Sequence, residues 1–431
     1  MHYYSTNKQS PSVNFQQAAL AGQAPDKGLY FPQTIPQLPQ EFLKQLKQKT
    51  KSEIAFEVIK NYVSNTIPED VLFKICEETV NFDFPLIKIT DDIYSMELFH
   101  GPTLSFKDVG ARFMSRCLSH FANRINKKIV VLVATSGDTG SAVAHGFLNR
   151  PGVEVVILYP SGKVSRVQEL QLTTLGNNIK ALEIQGDFDD CQRMVKQAFA
   201  DDQINENIFL TSANSINVAR WLPQQFYYFF AVQQWQHNEA PVVAVPSGNF
   251  GNICSGMLAK TSGLDIQHFI AACNSNDVVT RYLNDGLYSP LPTVATISNA
   301  MDVGQPSNFV RLQELYKQDF NALKNSLSSY KVSDALTEET VLTTWKNHEY
   351  LADPHTAVGI NALQTHQKTH PRKKGIVMST AHPLKFSELM KKITGTEIEK
   401  TQQINELEQL KKQSVIMEAD YESLKEYLKK I

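Results

Sequence analysis

Six short runs of β-branched and aliphatic residues punctuate the chain: IVVLVA at 129–134, VEVVILY at 153–159, IKALEI at 179–184, VVAV at 242–245, IQHFIAA at 266–272 and GIVM at 375–378. None alternates apolar with polar positions, so each predicts a strand covered on both faces. Helix-patterned stretches between several of them predict a parallel sheet with right-handed crossovers, and hence an α/β core over 96–385 with two subdomains. Residues 1–95 read differently. A proline-bearing segment, GLYFPQTIPQLPQ, gives way to EFLKQLKQ and KSEIAFEVIKNYV, where Ile54, Val58 and Tyr62 fall at helical spacing. This predicts a small, mostly helical N-terminal region. Residues 386–431 are rich in Lys, Glu and Gln, and Leu424, Tyr427, Leu428 and Ile431 form an apolar stripe behind Asp420 as N-cap. A helical tail docked by that stripe is expected.

Composition narrows the class. The chain has 431 residues, 42% of them hydrophobic, and its 42 basic and 44 acidic residues leave a formal charge of −2. That balance gives no sign of a nucleic-acid or membrane partner. Five scattered cysteines, Cys76, Cys117, Cys191, Cys254 and Cys273, show no CxxC spacing and predict neither a disulfide framework nor a zinc ribbon. The start MHYYSTNKQSPSVNF lacks the layout of a secretion signal, and no run reaches the ~20 apolar residues of a membrane span. A cytoplasmic protein without a metal site is expected.

Three segments carry chemistry. ATSGDTGSAVAHGF at 134–147 and VPSGNFGNICSG at 245–256 are Gly-rich turns, each placed after a predicted strand and before a predicted helix. That is where open α/β sheets bind ligands, with free amide N–H groups at a helix N-terminus ready for carboxylate or phosphate. The first turn reads equally as a tight connection capped by Asp138 or Thr139. The second has no lysine of the Walker type, so a nucleotide P-loop is unsupported. In ELFHGPTLSFKDVGARF at 97–113, Lys107 stands between Phe106 and Asp108. A lysine in aromatic surroundings can lose its proton and act as a nucleophile or Schiff-base former, provided a phosphate cradle elsewhere holds the cofactor.

Taken together, HGPTLSFKD, ATSGDTG, NSANSINVAR, VPSGNFGN, SNAMDVGQPSN and STAHPLKF resemble the successive motifs of threonine synthase, in its longer bacterial and fungal branch. The opening HYYSTN and GLYFP fit as well, and the resemblance runs from residue 2 to about residue 390. It implies a pyridoxal 5'-phosphate enzyme of fold type II, the tryptophan-synthase-β-like fold. The implied reaction turns O-phospho-L-homoserine and water into L-threonine and phosphate. By the same resemblance Lys107 is the catalytic Schiff-base lysine. Gly248, Asn249, Phe250, Gly251 and Asn252 hold the cofactor phosphate, and Thr380 meets the pyridine nitrogen. Thr135, Ser136, Gly137, Asp138 and Thr139 would grip the substrate carboxylate, Asp138 either facing the substrate amine or capping the helix. Asn214, Ser215 and Arg220 would bind the substrate's γ-phosphate. Without the resemblance, Arg220 reads as half of an intrachain salt bridge. His100 and His382 read as structural hydrogen-bonders, His355 has no assigned role, and 298–308 is expected to wall the substrate. Two other readings remain open. One is a phospholyase releasing 2-oxobutyrate from the same substrate, and the other a non-catalytic relative acting through its tail. The oligomeric state is open between monomer and homodimer.

Overall fold

The computed structural model describes residues 1–122, 125, 127–371 and 373–431. All six predicted strands form, and they divide between two sheets. Five strands lie in the order Ser414–Glu418, Ile179–Gln185, Val153–Pro160, Lys128–Ala134 and Ile208–Thr211, every pair parallel. Six lie in the order Leu327–Lys331, His268–Cys273, Val242–Pro246, Gly375–Ser379, Ile93–Glu97 and Leu86–Lys88, parallel except for the last, antiparallel pair. The central strands are buried on both faces: Val130, Val131, Leu132 and Val133 are inaccessible to solvent, as are Ala244 and Val245. This explains their unbroken apolar pattern.

The N-terminal region carries the predicted helix at Lys51–Val63, entered through a capping box between Thr50 and Glu53, with Ile54, Val58 and Tyr62 all buried. It also holds a three-stranded antiparallel sheet, Val13–Asn14, His2–Ser5 and Tyr30–Pro32, which the hydrophobic pattern does not predict. Strands of two to four residues are too short to display a period.

The tail is only partly helical, which corrects the expectation for 386–431. Its helix at Tyr421–Leu428 is capped by Asp420, which accepts from the Ser423 N–H at 2.9 Å. Leu424 and Leu428 join Val130, Leu132 and Leu182 of the five-stranded sheet in one buried apolar cluster. Before that helix, Ser414–Glu418 adds an edge strand beside Ile179–Gln185. Val415 and Ile416 stay exposed on it, so the doubly covered signature of the inner strands is missing. Among the described residues no helix is long and apolar enough to cross a membrane.

Candidate active site

Both Gly-rich turns sit at the carboxyl ends of inner strands, one on each sheet, and face a cleft of about 340 Å³. Lys107, Asp138, Thr139, Ser215, Arg220, residues 248–252 and Thr380 line it. A neighbouring hollow of about 320 Å³ is lined by Thr135, Ser136, Asn214 and again Thr139, Ser215 and Asn249. Of the catalytic, cofactor-binding and substrate-binding residues that the resemblance implies, only Gly137 lines neither.

Lys107 opens the helix Lys107–Ala122 and is half-buried at the cleft floor. Burial pushes its amine down to about 8, and the Arg220 and Lys385 cations push the same way against the Asp138 carboxylate. Gly110, one turn on, brings this helix against Arg220: a Cβ there would lie 2.7 Å from the Arg220 carbonyl oxygen. Asp108 accepts from Thr103 at its N–H (2.9 Å) and its hydroxyl (2.7 Å), which ties down the turn before Lys107. Phe106 N–H donates to the Thr380 carbonyl at 2.9 Å, so Thr380 is set beside the lysine segment.

The turn at 245–252 is shaped for an anion. Phe250 adopts a left-handed φ of 61° and starts the helix Gly251–Thr261 with no side chain capping its first N–H groups. Gly248 is obligatory here: a Cβ would lie 2.5 Å from the Met301 Cα. Two buried amides add donors. Asn252 accepts from the Tyr228 hydroxyl at 2.9 Å through Oδ1, and Asn308 accepts from Arg311 at 2.7 Å through its own Oδ1. These bonds fix both amide orientations, and both Nδ2 groups are left without a hydrogen-bond partner among the described residues. Asn308 Nδ2 stands 3.3 Å from where a Cβ of Gly251 would be. A bare helix N-terminus with two orphaned amide donors fits a phosphate group. Asn308 lies in the SNAMDVGQPSN motif, yet nothing local in sequence marks one loop asparagine as orphaned.

Several side chains have different duties from those implied. The Asn249 amide is occupied, donating to Ser215 Oγ and accepting from the Ser307 N–H, both at 2.6 Å. Its backbone N–H and one Nδ2 proton remain for a ligand. The Thr135 hydroxyl accepts from the N–H groups of Gly137 (3.0 Å) and Gly140 (2.9 Å), so it shapes the turn rather than serving as a donor to substrate. That turn needs Gly137, whose φ of 140° excludes other residues, and with the Gly140 N–H taken by Thr135 it leaves the Asp138 and Thr139 N–H groups at the start of the helix Asp138–Phe147 for a ligand.

Arg220 is buried and belongs to no ion pair among the described residues, so the salt-bridge alternative does not hold. Its Nη1 donates to the Ala213 carbonyl, and its buried Nε has no partner among the described residues. Burial lowers its pKa to about 10. An unpaired buried guanidinium is a waiting anion site.

His382 caps the turn Pro383–Phe386 by accepting from the Leu384 N–H at 3.1 Å. His100 pairs with Glu97 at 2.7 Å. His355 bonds Asp353 at 2.8 Å through Nδ1 and accepts from the Ala300 N–H at 3.1 Å through Nε2, which anchors the 298–308 wall. Sequence reasoning missed Lys385, buried beside Asp138, because a lysine within STAHPLKF gives no local sign of burial.

The comparisons with known proteins agree with this geometry. The family described as "Pyridoxal-phosphate dependent enzyme" matches residues 85–380, "Threonine synthase N terminus" matches 2–80 and "Threonine synthase, C-terminal" matches 356–428. The last match carries the likeness into the tail, beyond the reach of the sequence motifs. A threonine synthase of Haemophilus influenzae is 43% identical over 432 residues, covering 100% of both chains. The crystal structure of threonine synthase from Escherichia coli superposes with a TM-score of 0.91 at 40% identity, covering 100% of each chain. A pyridoxal-phosphate-bound threonine synthase from Brucella melitensis gives 0.94 at 33% identity, over 100% of this chain and 99% of that one. With its fold type II sheets, its lysine and its phosphate cradle, the chain belongs to the threonine synthase family of pyridoxal-phosphate enzymes.

Proposed function

We propose that this protein converts O-phospho-L-homoserine and water to L-threonine and phosphate, with Lys107 as its catalytic lysine. The observation that carries this reading is a neutralisable lysine flanked by two separate anion sites. One is the cradle of Gly248, the Gly251–Thr261 N-terminus, Asn252 and Asn308, suited to the cofactor phosphate. The other is Arg220 with Ser215 and Asn214, suited to a phosphate ester on the substrate. The N-terminus of Asp138–Phe147, where Thr135 caps only the Gly140 N–H, supplies the Asp138 and Thr139 N–H groups as donors for the substrate carboxylate.

When bound, pyridoxal phosphate supplies an electron-withdrawing ring that acidifies the substrate's α-hydrogen. Lys107 holds that cofactor and, once free, carries protons at its Nζ between neighbouring substrate carbons. The burial that depresses its pKa keeps the amine available for this near neutral pH. Thr380, which lines the cleft, would offer the ring nitrogen a hydroxyl instead of a carboxylate and would leave that nitrogen largely unprotonated. Arg220 retains the phosphate as it leaves, so the bond from Cγ to oxygen breaks toward a cation. All five cysteines are buried free thiols, which supports a reducing, cytoplasmic setting.

The test is product identification by NMR after the cofactor-loaded protein meets O-phospho-L-homoserine. Threonine and phosphate in equal amounts are expected; 2-oxobutyrate in place of threonine would make the enzyme a phospholyase. A second measurement probes the cradle. Gly248→Ala forces its new methyl onto the Met301 backbone, and overpacking of that kind costs about 1–3 kcal/mol. Titration with pyridoxal phosphate should show affinity about tenfold weaker or worse, and the unfolding midpoint of the apo-protein should fall by about a few degrees, because the methyl meets Met301 with or without cofactor.

A further inference from the structure

Among the described residues only two apolar side chains stand at a left-handed φ: Phe250 in the phosphate cradle, and Leu104 three residues before Lys107. Leu104 has a φ of 58°, where Cβ crowds the backbone and a leucine is disfavoured by about tenfold in population. Strain of this kind persists only where the surroundings over-determine it. Hydrogen bonds supply part of the hold. Leu104 N–H donates to the Gly101 carbonyl at 3.1 Å, His382 N–H to the Leu104 carbonyl at 3.0 Å, Phe106 N–H to the Thr380 carbonyl at 2.9 Å and Lys385 Nζ to the Thr103 carbonyl at 2.9 Å. None of these bonds depends on which side chain stands at 104.

The Leu104 side chain explains why the position is a leucine. It is buried in a small cluster with Leu170, Leu384, Ile404 and Leu407, apart from the three larger apolar clusters of the molecule. Leu170 comes from the helix Arg166–Thr173 and Leu384 from the turn Pro383–Phe386. Ile404 and Leu407 come from the tail, and they are the only buried side chains of its short helix Gln402–Glu408. A helix of two turns does not sustain itself in water, so these two side chains are what dock it. No residue of 402–408 lines the cleft or the neighbouring hollow. The tail thus supplies two of the five side chains in a cluster whose one strained member belongs to the lysine segment.

We propose that Ile404 and Leu407 are positioning residues: by keeping Leu104 buried at its left-handed φ, the tail helix holds Lys107 where it takes up the cofactor. This rests on the reading of Lys107 as the catalytic lysine. Burial of Leu104 offsets the strain in its backbone. When the cluster is opened, the segment relaxes toward negative φ, the binding-competent fraction falls, and the apparent affinity for the cofactor falls by the same factor.

The test is titration of the full-length protein with pyridoxal phosphate, followed by the absorption of the lysine-bound cofactor, with thermal unfolding measured alongside. Ile404→Ala combined with Leu407→Ala should weaken affinity about tenfold, the bias against a left-handed leucine, and lower Tm by several degrees. Adding Leu104→Gly should bring affinity back to within about threefold of wild type, because glycine takes this φ freely. Tm should stay low, since the cluster remains unfilled. A merely structural role cannot give rescue of binding without rescue of stability. Leu424→Ala, in the other docked helix of the tail, should lower Tm comparably and leave affinity within about twofold. If the paired variant does not fold, Leu407→Ala alone replaces it, with a smaller loss that Leu104→Gly again reverses. Unchanged affinity in the tail variants, a loss that Leu104→Gly leaves in place or deepens, or an equal loss in Leu424→Ala would overturn the proposal. Uptake of cofactor by Lys107→Ala as by the wild type would overturn the reading of Lys107 as well. Uptake that needs Lys107 but is unmoved by the tail variants would overturn this proposal alone.

Discussion

Lys107→Ala is expected to lower turnover of O-phospho-L-homoserine by more than about 10⁴-fold, since it removes both the covalent hold on the cofactor and the acid–base group. Lys107→Arg should be equally inactive, because a guanidinium does not give up its proton near neutral pH. The fold should survive: Lys107 takes part in no ion pair among the described residues, and the helix it opens is anchored by Asp108 and Gly110 instead. Burial, the largest influence on this lysine, lowers its pKa from 10.5 to about 8. The neutral amine is the reactive form, so capture of pyridoxal phosphate by the apo-protein should accelerate as pH rises through about 8, well below the range of an exposed lysine. The stability of the apo-protein has the matching sign. Between about 8 and 10.5 the unfolded chain binds the extra proton at this residue, so Lys107 lets stability increase with pH there. The increase should disappear in Lys107→Ala. A variant that still turned over substrate, or a capture rate that rose only near 10.5, would remove Lys107 from the catalytic role.

What the sequence disclosed and what it hid follow from the range of the interactions involved. Strands such as Lys128–Ala134 and Val153–Pro160 lie inside a sheet covered on both sides, and burial wrote itself into every position. Ser414–Glu418 is an edge strand that depends on a neighbour more than 200 residues away, and the local pattern SVIME has no reason to reveal it. The site divides in the same way. Gly137 and Gly248 were legible because close approach and unusual φ leave no other residue type. The duties of Asn249 and Thr135 were not, since whether a polar group faces ligand or protein is decided by Ser215, Ser307 and the backbone of Gly140. Lys385 and Asn308 act through contacts between distant segments, and one lysine or asparagine in a motif looks like any other.

Arg220 shows how such a site trades stability for binding, and its replacement should separate the two. Arg220→Met removes a buried cation that has a carbonyl but, among the described residues, no ion-pair partner and no partner for Nε. An oriented donor to developing or departing charge is worth about 10²–10³ in rate, so kcat/KM for O-phospho-L-homoserine should fall at least that far. Competition by inorganic phosphate should vanish with it. Arg220→Lys should recover little, because a single ammonium cannot reproduce the planar two-point grip and is harder to desolvate. Stability should move the other way. Exchanging a buried, uncompensated charge for an apolar side chain of similar length is neutral to favourable, so the apo-protein's Tm is expected to equal or exceed that of the wild type. Product identity gives the sharpest reading. If Arg220 retains the departing phosphate where water must be directed onto Cβ, the residual activity of Arg220→Met should release more 2-oxobutyrate per threonine. A Tm lowered by several degrees, together with unchanged phosphate competition and an unchanged product ratio, would make Arg220 a structural residue and place the γ-phosphate elsewhere.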